Sequence, residues 1–406
     1  MRISLEPLIQ QAATTSDVLT RPATFALPRL RVHAATLAVG AAIVAWIGVF
    51  GYLSVARHLA GGSHAEDLGF TDQVLWNFLR GQWFRMSLYQ GATWNTELDL
   101  SQLTRPDSLL AFHVEPMLLA FVPLYAMGAG AMLLLLLQAI AMGLGAIPAY
   151  ALGRYFGRSR WAGLAVALAY LLSPLGQAAV LSDFHTSAFA APLLLLAAER
   201  LLVTRSTTIG LLAALVVLCA REDVGPAVAL LGVSLLVLGA TRRASWLIVA
   251  AGVCWSVIAA AVLLHYSGGV SPFAARYGDS LGAGLAGVVA ALGRPLAVQS
   301  YMTILLSGAW LAVLAPLALL GALPTVAANT LSESPWMASS SAHYGVLLLP
   351  FITLGVAVGL ARLRRTLVVP VCAAVVLGAA FGYVRSGYGP LGANYAPAEL
   401  TEHARA

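Results

Sequence analysis

Of 406 residues, 60% are hydrophobic and 10% are charged, where a soluble domain carries roughly 25% charged residues. The net charge of +6 is carried by Arg with no Lys. Most of these Arg flank apolar runs, a membrane-topology signal that gives no reason to expect nucleic acid as a partner. The runs are continuous rather than alternating, which excludes a β-barrel and predicts an all-α polytopic membrane protein.

Residues 1–33 are polar to mixed and contain Arg2, Arg21, Arg29 and Arg31. The run 34–56 is long enough to span, since a crossing helix takes about 20 residues. It is too long for a cleaved signal, so it reads as a permanent anchor. The basic leader places the N-terminus in the cytoplasm. The stretch 57–127 then forms a long first extracytoplasmic loop. Within it, 111–127 is apolar but short, and holds His113, Glu115, Pro116 and Pro123. If it lies in the interface, ten further spans follow: 130–152, 161–176, 187–203, 206–221, 223–240, 245–265, 299–315, 316–332, 343–361 and 366–384. That makes about eleven transmembrane helices between 34 and 384. Arg counting favours this reading. It puts Arg154, Arg158, Arg160, Arg200, Arg205, Arg242, Arg243, Arg362, Arg364 and Arg365 on the same side as the basic leader. A spanning 111–127 would turn those clusters outward, against the positive-inside rule. The loop 266–298 is Gly-rich and is expected to carry short interfacial helices. The tail 385–406 turns polar, is expected outside, and reads as the start of something further, as in a truncated form. The three cysteines, Cys219, Cys254 and Cys372, lie in apolar runs and imply no disulfide framework.

This topology gathers the polar residues on one side. The first group is HAEDLGFTDQVLWN, His64 to Asn77. Asp67 is placed where the first span emerges and can serve as a general base or metal ligand, or simply as a helix N-cap. From Leu68 to Phe84 the pattern is amphipathic, with Phe70, Val74, Leu75, Phe78 and Leu79 as a stripe, which suits a helix lying on a membrane surface. Asp72 falls a turn further along and is suited to fixing that helix. The second group is Asp183 and His185. It reads either as a second wall of the site, for phosphate or metal, or as a solvated turn. In the third, Arg221, Glu222 and Asp223 interrupt an apolar stretch. Arg221 can clamp a phosphate, or the charges can pair locally. Two further pairs, His113 with Glu115 and His343 with Tyr344, open apolar segments at the same face. They read as headgroup contacts or as interfacial anchors. No HxxxH or CxxC spacing occurs, and no Gly-rich phosphate loop follows a strand, so no nucleotide cofactor is expected.

Asp67-Leu68-Gly69-Phe70, Asp72-Gln73 and Leu75-Trp76-Asn77 resemble the FDLGxFDQxxWN signature of an uncharacterised, domain-of-unknown-function family of predicted bacterial membrane proteins. The resemblance continues through Phe112-His113, Pro116 and Pro123-Leu124-Tyr125. It includes Gln138, Pro148, Ser173-Pro174, Asp183-Phe184-His185, Pro192, Glu222-Asp223, His343-Tyr344 and Pro350-Phe351. It covers roughly residues 45–390. This chain departs from the pattern at Glu66, where an aromatic is expected, and in an insertion-like stretch 88–108 with Asp99 and Asp107. The family's usual outer soluble domain also does not follow.

That family is distantly similar to the GT-C polyprenyl-phosphate-sugar glycosyltransferases. The similarity implies a bacterial plasma-membrane enzyme, with Asp67 as catalytic base and interfacial helices at 69–84 and 111–127. It further implies a lipid-linked sugar donor, membrane lipids as partners, and room for a divalent metal. Asp72, His113, Glu115, Asp183, His185, Arg221, Glu222, His343 and Tyr344 are then the expected substrate-binding residues. Arg221 and His185 would hold the leaving phosphate, and Asp183 would orient the acceptor or a metal. The alternatives are a transporter or flippase, which calls for paired broken helices and mid-membrane charges, and a non-catalytic assembly scaffold.

Overall fold

The computed structural model describes residues 33–88, 107–269, 271 and 274–397. The leader, the central part of the insertion with Asp99, and the end of the tail lie outside these. Among the described residues the chain is all-helical, with one isolated bridge between Arg85 and Ser108.

Helix α1 (Ala34–Leu59) leads into a π-helical turn (Ala65–Gly69), α2 (Phe70–Phe78) and the short α3 (Val122–Ala126). The next four are α4 (Ala131–Leu144), α5 (Ala146–Phe156), α6 (Arg160–Leu172) and α7 (Pro174–Leu181). They are followed by α8 (Ser187–Leu202), α9 (Thr207–Leu218), α10 (Val224–Val237) and α11 (Arg242–Tyr266). After α11 come α12 (Gly278–Gly282), α13 (Gly284–Leu292), α14 (Pro295–Leu306) and α15 (Leu323–Leu331). The last three are α16 (Pro335–Ala338), α17 (Leu349–Leu360) and α18 (Arg365–Ser386).

Five segments are long and apolar enough to cross a bilayer: α1, α4–α5, α11, Pro335–Leu360 and α18. The number rises to seven if each of two bent pairs is one span: α6–α7, bent by 42°, and α13–α14, bent by 48°. Each break has a proline at the start of its second half, Pro174 or Pro295. A proline there removes a backbone donor and turns the preceding residue away from helix.

The expected eleven spans are therefore not all continuous. Helices α8, α9 and α10 exist where expected but run 16, 12 and 14 residues, short of a full crossing. The expected spans 299–315 and 316–332 break into α14, a series of 3₁₀ turns and α15. Gly308, at φ +87°, and Pro316 interrupt them, because a left-handed residue and a missing N–H both end α-helical bonding. The 266–298 loop does carry short helices, and its last one, α13, joins α14 in a bent pair. Pro116–Ala126 is helical but too short to cross.

Burial sorts these segments. The window of Pro335–Leu360 is 83% buried and that of α11 only 17%, so the first is central and the second peripheral. Helix α11 exposes Trp246, Leu247, Val253, Val257 and Ile258, and α18 exposes Val369, Leu377 and Phe381. Apolar faces this extensive are disfavoured against water and are suited to lipid.

Helices α10 and α11 pack closely through Gly225 and Gly252. A Cβ on Gly252 would sit 2.5 Å from the Ala229 nitrogen and 2.9 Å from its Cα. Those are helix backbone atoms, so α10 itself would have to shift. Gly252→Leu is expected to lower thermal stability in detergent by about 1–3 kcal/mol or more, as overpacking does. It should also loosen the Arg221 turn, because Trp255 on α11 donates to the Arg221 carbonyl at 3.0 Å.

Candidate functional site

Chain alternation brings four polar loops to one end of the helices: the end of α1, the α7–α8 loop, the α9–α10 turn and the 341–348 segment. The Arg-bearing turns after α5, α8, α10 and α17 fall at the other end. There Arg205 donates to the Gly239 carbonyl at 2.7 Å.

The loops are stitched by buried hydrogen bonds. Gln138, fully buried on α4, donates to the Asp183 carbonyl at 2.8 Å and accepts from the His185 nitrogen at 2.7 Å. Thr186 donates to the Ala220 carbonyl at 2.6 Å. The Met117 nitrogen donates to the Cys219 carbonyl at 2.7 Å. Glu222 accepts from the Val114 nitrogen and pairs with His113 Nδ1, both at 3.0 Å. Backbone polar groups without water must find such partners, so α4 sets the position of the 183–185 loop.

These loops enclose a cavity of about 1130 Å³, just above the usual range of roughly 300–1,000 Å³ for small-molecule sites. Asp67, His113, Glu115, His185, Arg221 and Glu222 all line it, as do His343 and Tyr344. Leu53, Phe70, Leu181 and Val346 supply apolar wall. A lining with both polar and apolar side chains suits an amphiphilic ligand.

Asp67 lies inside the π-helical turn, whose N-cap is His64 with no side-chain cap. The N-cap reading of Asp67 is thereby excluded. Its Oδ1 pairs with His185 Nε2 at 3.2 Å, and its side chain is one-third exposed. Burial pushes this carboxyl up, but the hydrogen bond and charge of His185 outweigh that, and it titrates below the ordinary aspartate value. Asp67 is thus ionised and faces the cavity. His185 in turn stacks on His343, ring centroids 3.6 Å apart, and His343 lies against Tyr344 at 4.1 Å.

Glu115 is shifted the opposite way. Burial, assisted by the Glu222 charge, raises it above the ordinary glutamate value. One wall of the cavity therefore favours a carboxylate and another a neutral acid, a division suited to acid–base work.

His113 is also raised. Burial alone would lower it, but Glu222 beside it overrides that, with help from Glu115. A raised histidine stabilises the fold fully below its ordinary value of 6.5 and loses that contribution as pH climbs through the raised value. The melting temperature of the wild type is expected to fall, relative to Glu222→Gln, as pH rises above 6.5. Parallel melting curves across that window would remove this coupling.

Several expectations need correction. Asp72 does not line the cavity. It accepts from the Tyr125 hydroxyl at 2.6 Å, which ties α2 to α3. The apolar stripe of α2 faces protein, since Phe70, Val74, Leu75 and Phe78 are buried. The helix ends at Phe78 and does not lie with that stripe on a membrane surface. Asp183 is no solvated turn. It is 2% exposed, stands behind the cavity wall, and holds Arg57 at 3.3 Å and His64 Nδ1 at 3.0 Å. Arg221 is not a free clamp. Its Nε donates to Asp223 at 2.9 Å and its Nη2 also reaches that carboxylate. This local pairing nevertheless leaves donors on a guanidinium that has five N–H groups.

Arg57 lay outside the polar groups of the sequence, and His64 lay within the first of them without being assigned a role, although both line the cavity. Arg57 resembled an ordinary helix-end charge, and His64 sat at the edge of the polar stretch with no partner in reach along the chain. Tyr388 and Tyr395 from the tail also line it, which no local pattern announced.

Neither a curated protein nor a solved structure matches this chain. One family profile does, described as a predicted membrane protein, DUF2079, over residues 63–385. That match takes in Asp67, His113, Glu115, His185, Arg221, Glu222, His343 and Tyr344 of the cavity, and the chain belongs to the DUF2079 family of predicted membrane proteins.

Proposed function

We propose that this cavity transfers a sugar from a polyprenyl-phosphate donor to an acceptor hydroxyl. The observation that carries the reading is Asp67: an ionised carboxylate, oriented by His185, in the wall of a large cavity with both polar and apolar lining. The acceptor oxygen attacks the anomeric carbon while its proton passes to Asp67. The anomeric carbon–oxygen bond to phosphate breaks, and polyprenyl phosphate leaves with the electron pair, inverting the anomeric centre. Glu115, held toward its neutral form, donates a hydrogen bond to the leaving phosphate. The spare donors of Arg221 complete its binding, while His185 stays with Asp67. His343 and Tyr344 wall the sugar, and Asp183 acts from behind the wall by positioning.

The distribution of Arg supports an N-terminus in the cytoplasm and a cavity at the extracytoplasmic face of a bacterial plasma membrane, by the positive-inside rule. In this reading 34–384 is the membrane domain. The shorter α8 and α10 cross within its interior, α9 crosses with Ile209, Leu212 and Leu215 outward, 1–33 is cytoplasmic and 385–406 is outside. The distant similarity to GT-C glycosyltransferases in the position of Asp67 points the same way.

The two bent helix pairs favour a second reading, a transporter, since broken helices commonly frame transport sites. Purified protein in liposomes, given a polyprenyl-phosphate sugar and a mixture of acceptor glycans, separates the two. Sugar appearing on acceptor, dependent on Asp67, supports transfer. Movement of the lipid-linked sugar across the bilayer without bond cleavage would replace transfer with transport.

A further inference from the structure

Three side chains from two distant parts of the chain meet at the edge of this cavity. His64 precedes the π-helical turn, Asp67 lies within it, and Asp183 comes from the loop after α7. One donor atom from each, His64 Nδ1 and a carboxylate oxygen from each aspartate, lie within 4.8 Å of one another. Ligands around an ion bound at about 2.0–2.2 Å stand up to roughly 4.4 Å apart, so the cluster needs only a small contraction to close on one.

We propose that His64, Asp67 and Asp183 form a binding site for a single divalent first-row transition ion, of the Mn²⁺ or Zn²⁺ class. This goes beyond glycosyl transfer and stands whether or not the cavity performs it.

The supporting shell is what a metal site needs. Ligands must be oriented by outer partners, and ligating carboxylates are themselves hydrogen-bonded. Here Arg57 holds Asp183 Oδ1, while Oδ2 faces His64. His185 Nε2 holds Asp67 Oδ1. The His64 backbone nitrogen donates to Asp183 Oδ2 at 2.7 Å, which fixes the histidine over the aspartate. Gln138 fixes both ends of the 183–185 loop. Such a shell makes the three donors converge without the ion having to assemble them.

The donor set chooses the class of ion. Two carboxylates and one imidazole nitrogen form a mixed N/O set, which suits Mn²⁺, Fe²⁺ or Zn²⁺ better than the all-oxygen cages of Ca²⁺ or Mg²⁺. Arg57 also offsets one of the two carboxylate charges, so Coulomb attraction alone does not hold a hard cation here. Asp183 is buried and His64 is 65% exposed, so the ion has an anchored side and an open one. The open side faces the cavity, where water or a substrate oxygen can complete the coordination. A carboxylate has about four lone-pair sites, so Asp67 can bond His185, ligate the ion and still meet an acceptor hydroxyl. An ion at this place would polarise a phosphoryl oxygen.

The test uses the untagged full chain in detergent, stripped with chelator, titrated with Mn²⁺ by electron paramagnetic resonance and with Zn²⁺ by calorimetry. One saturable Mn²⁺ per chain is expected, displaced by Zn²⁺ and weakened at acidic pH, because the ion competes with a proton for His64. His64→Ala should weaken binding by roughly 100-fold or more, beyond the roughly 10–100-fold that loss of an outer partner costs. That residue is exposed, so the fold should survive, and an unchanged melting temperature checks it. His265→Ala, at the end of α11, whose ring lies against Tyr266 and does not line the cavity, should leave the affinity unchanged. No saturable site, or equal affinity in His64→Ala, overturns the proposal. Because binding is read without substrate, the result is independent of whether glycosyl transfer is found.

Discussion

Asp67→Asn is expected to reduce glycosyl transfer by roughly 10²–10⁴-fold, the usual contribution of a positioned general base. Asparagine has nearly the same shape, and its amide can still meet His185, so the fold and the cavity should persist. What it cannot do is take the acceptor's proton. The loss should fall on kcat rather than on KM for the donor, because the interaction removed belongs to the transition state. The pH dependence is a second readout. The Asp67 carboxyl lies below its ordinary value of 3.8, so the wild-type rate should hold through mildly acidic pH as far as this group decides it. A variant with wild-type kcat in the purified system would remove Asp67 from the chemistry, whatever else the cavity does.

Asp183→Ala is expected to be the most destabilising single substitution at the site. Removing one partner from a buried ion pair costs about 3–5 kcal/mol, because the other charge is left uncompensated. The Arg57 side chain is 18% exposed, so water screens part of that loss and the lower end applies. Two further costs accompany it. The His64 backbone nitrogen loses its acceptor. The backbone at Asp183 has φ +69°, a left-handed conformation that aspartate tolerates better than alanine. Thermal unfolding in detergent measures the effect. The double variant Arg57→Met with Asp183→Ala should recover part of it, since both members of the pair are then removed together. A single variant melting with the wild type would mean that Arg57 and His64 find other partners.

These two aspartates mark the difference between chain pattern and fold. Both were legible as charged residues in loops between apolar runs, because charge is costly in a bilayer and must have a reason to be there. Their roles were not. Asp67 also read as an N-cap, and only the start of the π-helical turn at Ala65, two residues before it, decides otherwise. Asp183 read as substrate-binding, yet its partner Arg57 is 126 residues away and no spacing rule reaches that far. Asp72 shows the same limit: its Tyr125 partner turns a binding candidate into a brace for α2.

By itself the sequence determined the helical class, the locations of α1, α4 to α6 and α8 to α11, and the gathering of polar residues in the loops between them. These depend on hydropathy and on the need to satisfy every backbone group within its own segment, both local properties. Only the tertiary structure decided which apolar runs are continuous, because Pro174, Pro295 and Gly308 act through bends whose size depends on packing. It also decided which charges face the cavity and which stand behind it. Pairings such as His64 with Asp183 and His113 with Glu222 join residues more than a hundred positions apart. They exist because buried charges must find partners, and the fold alone determines which partners are near.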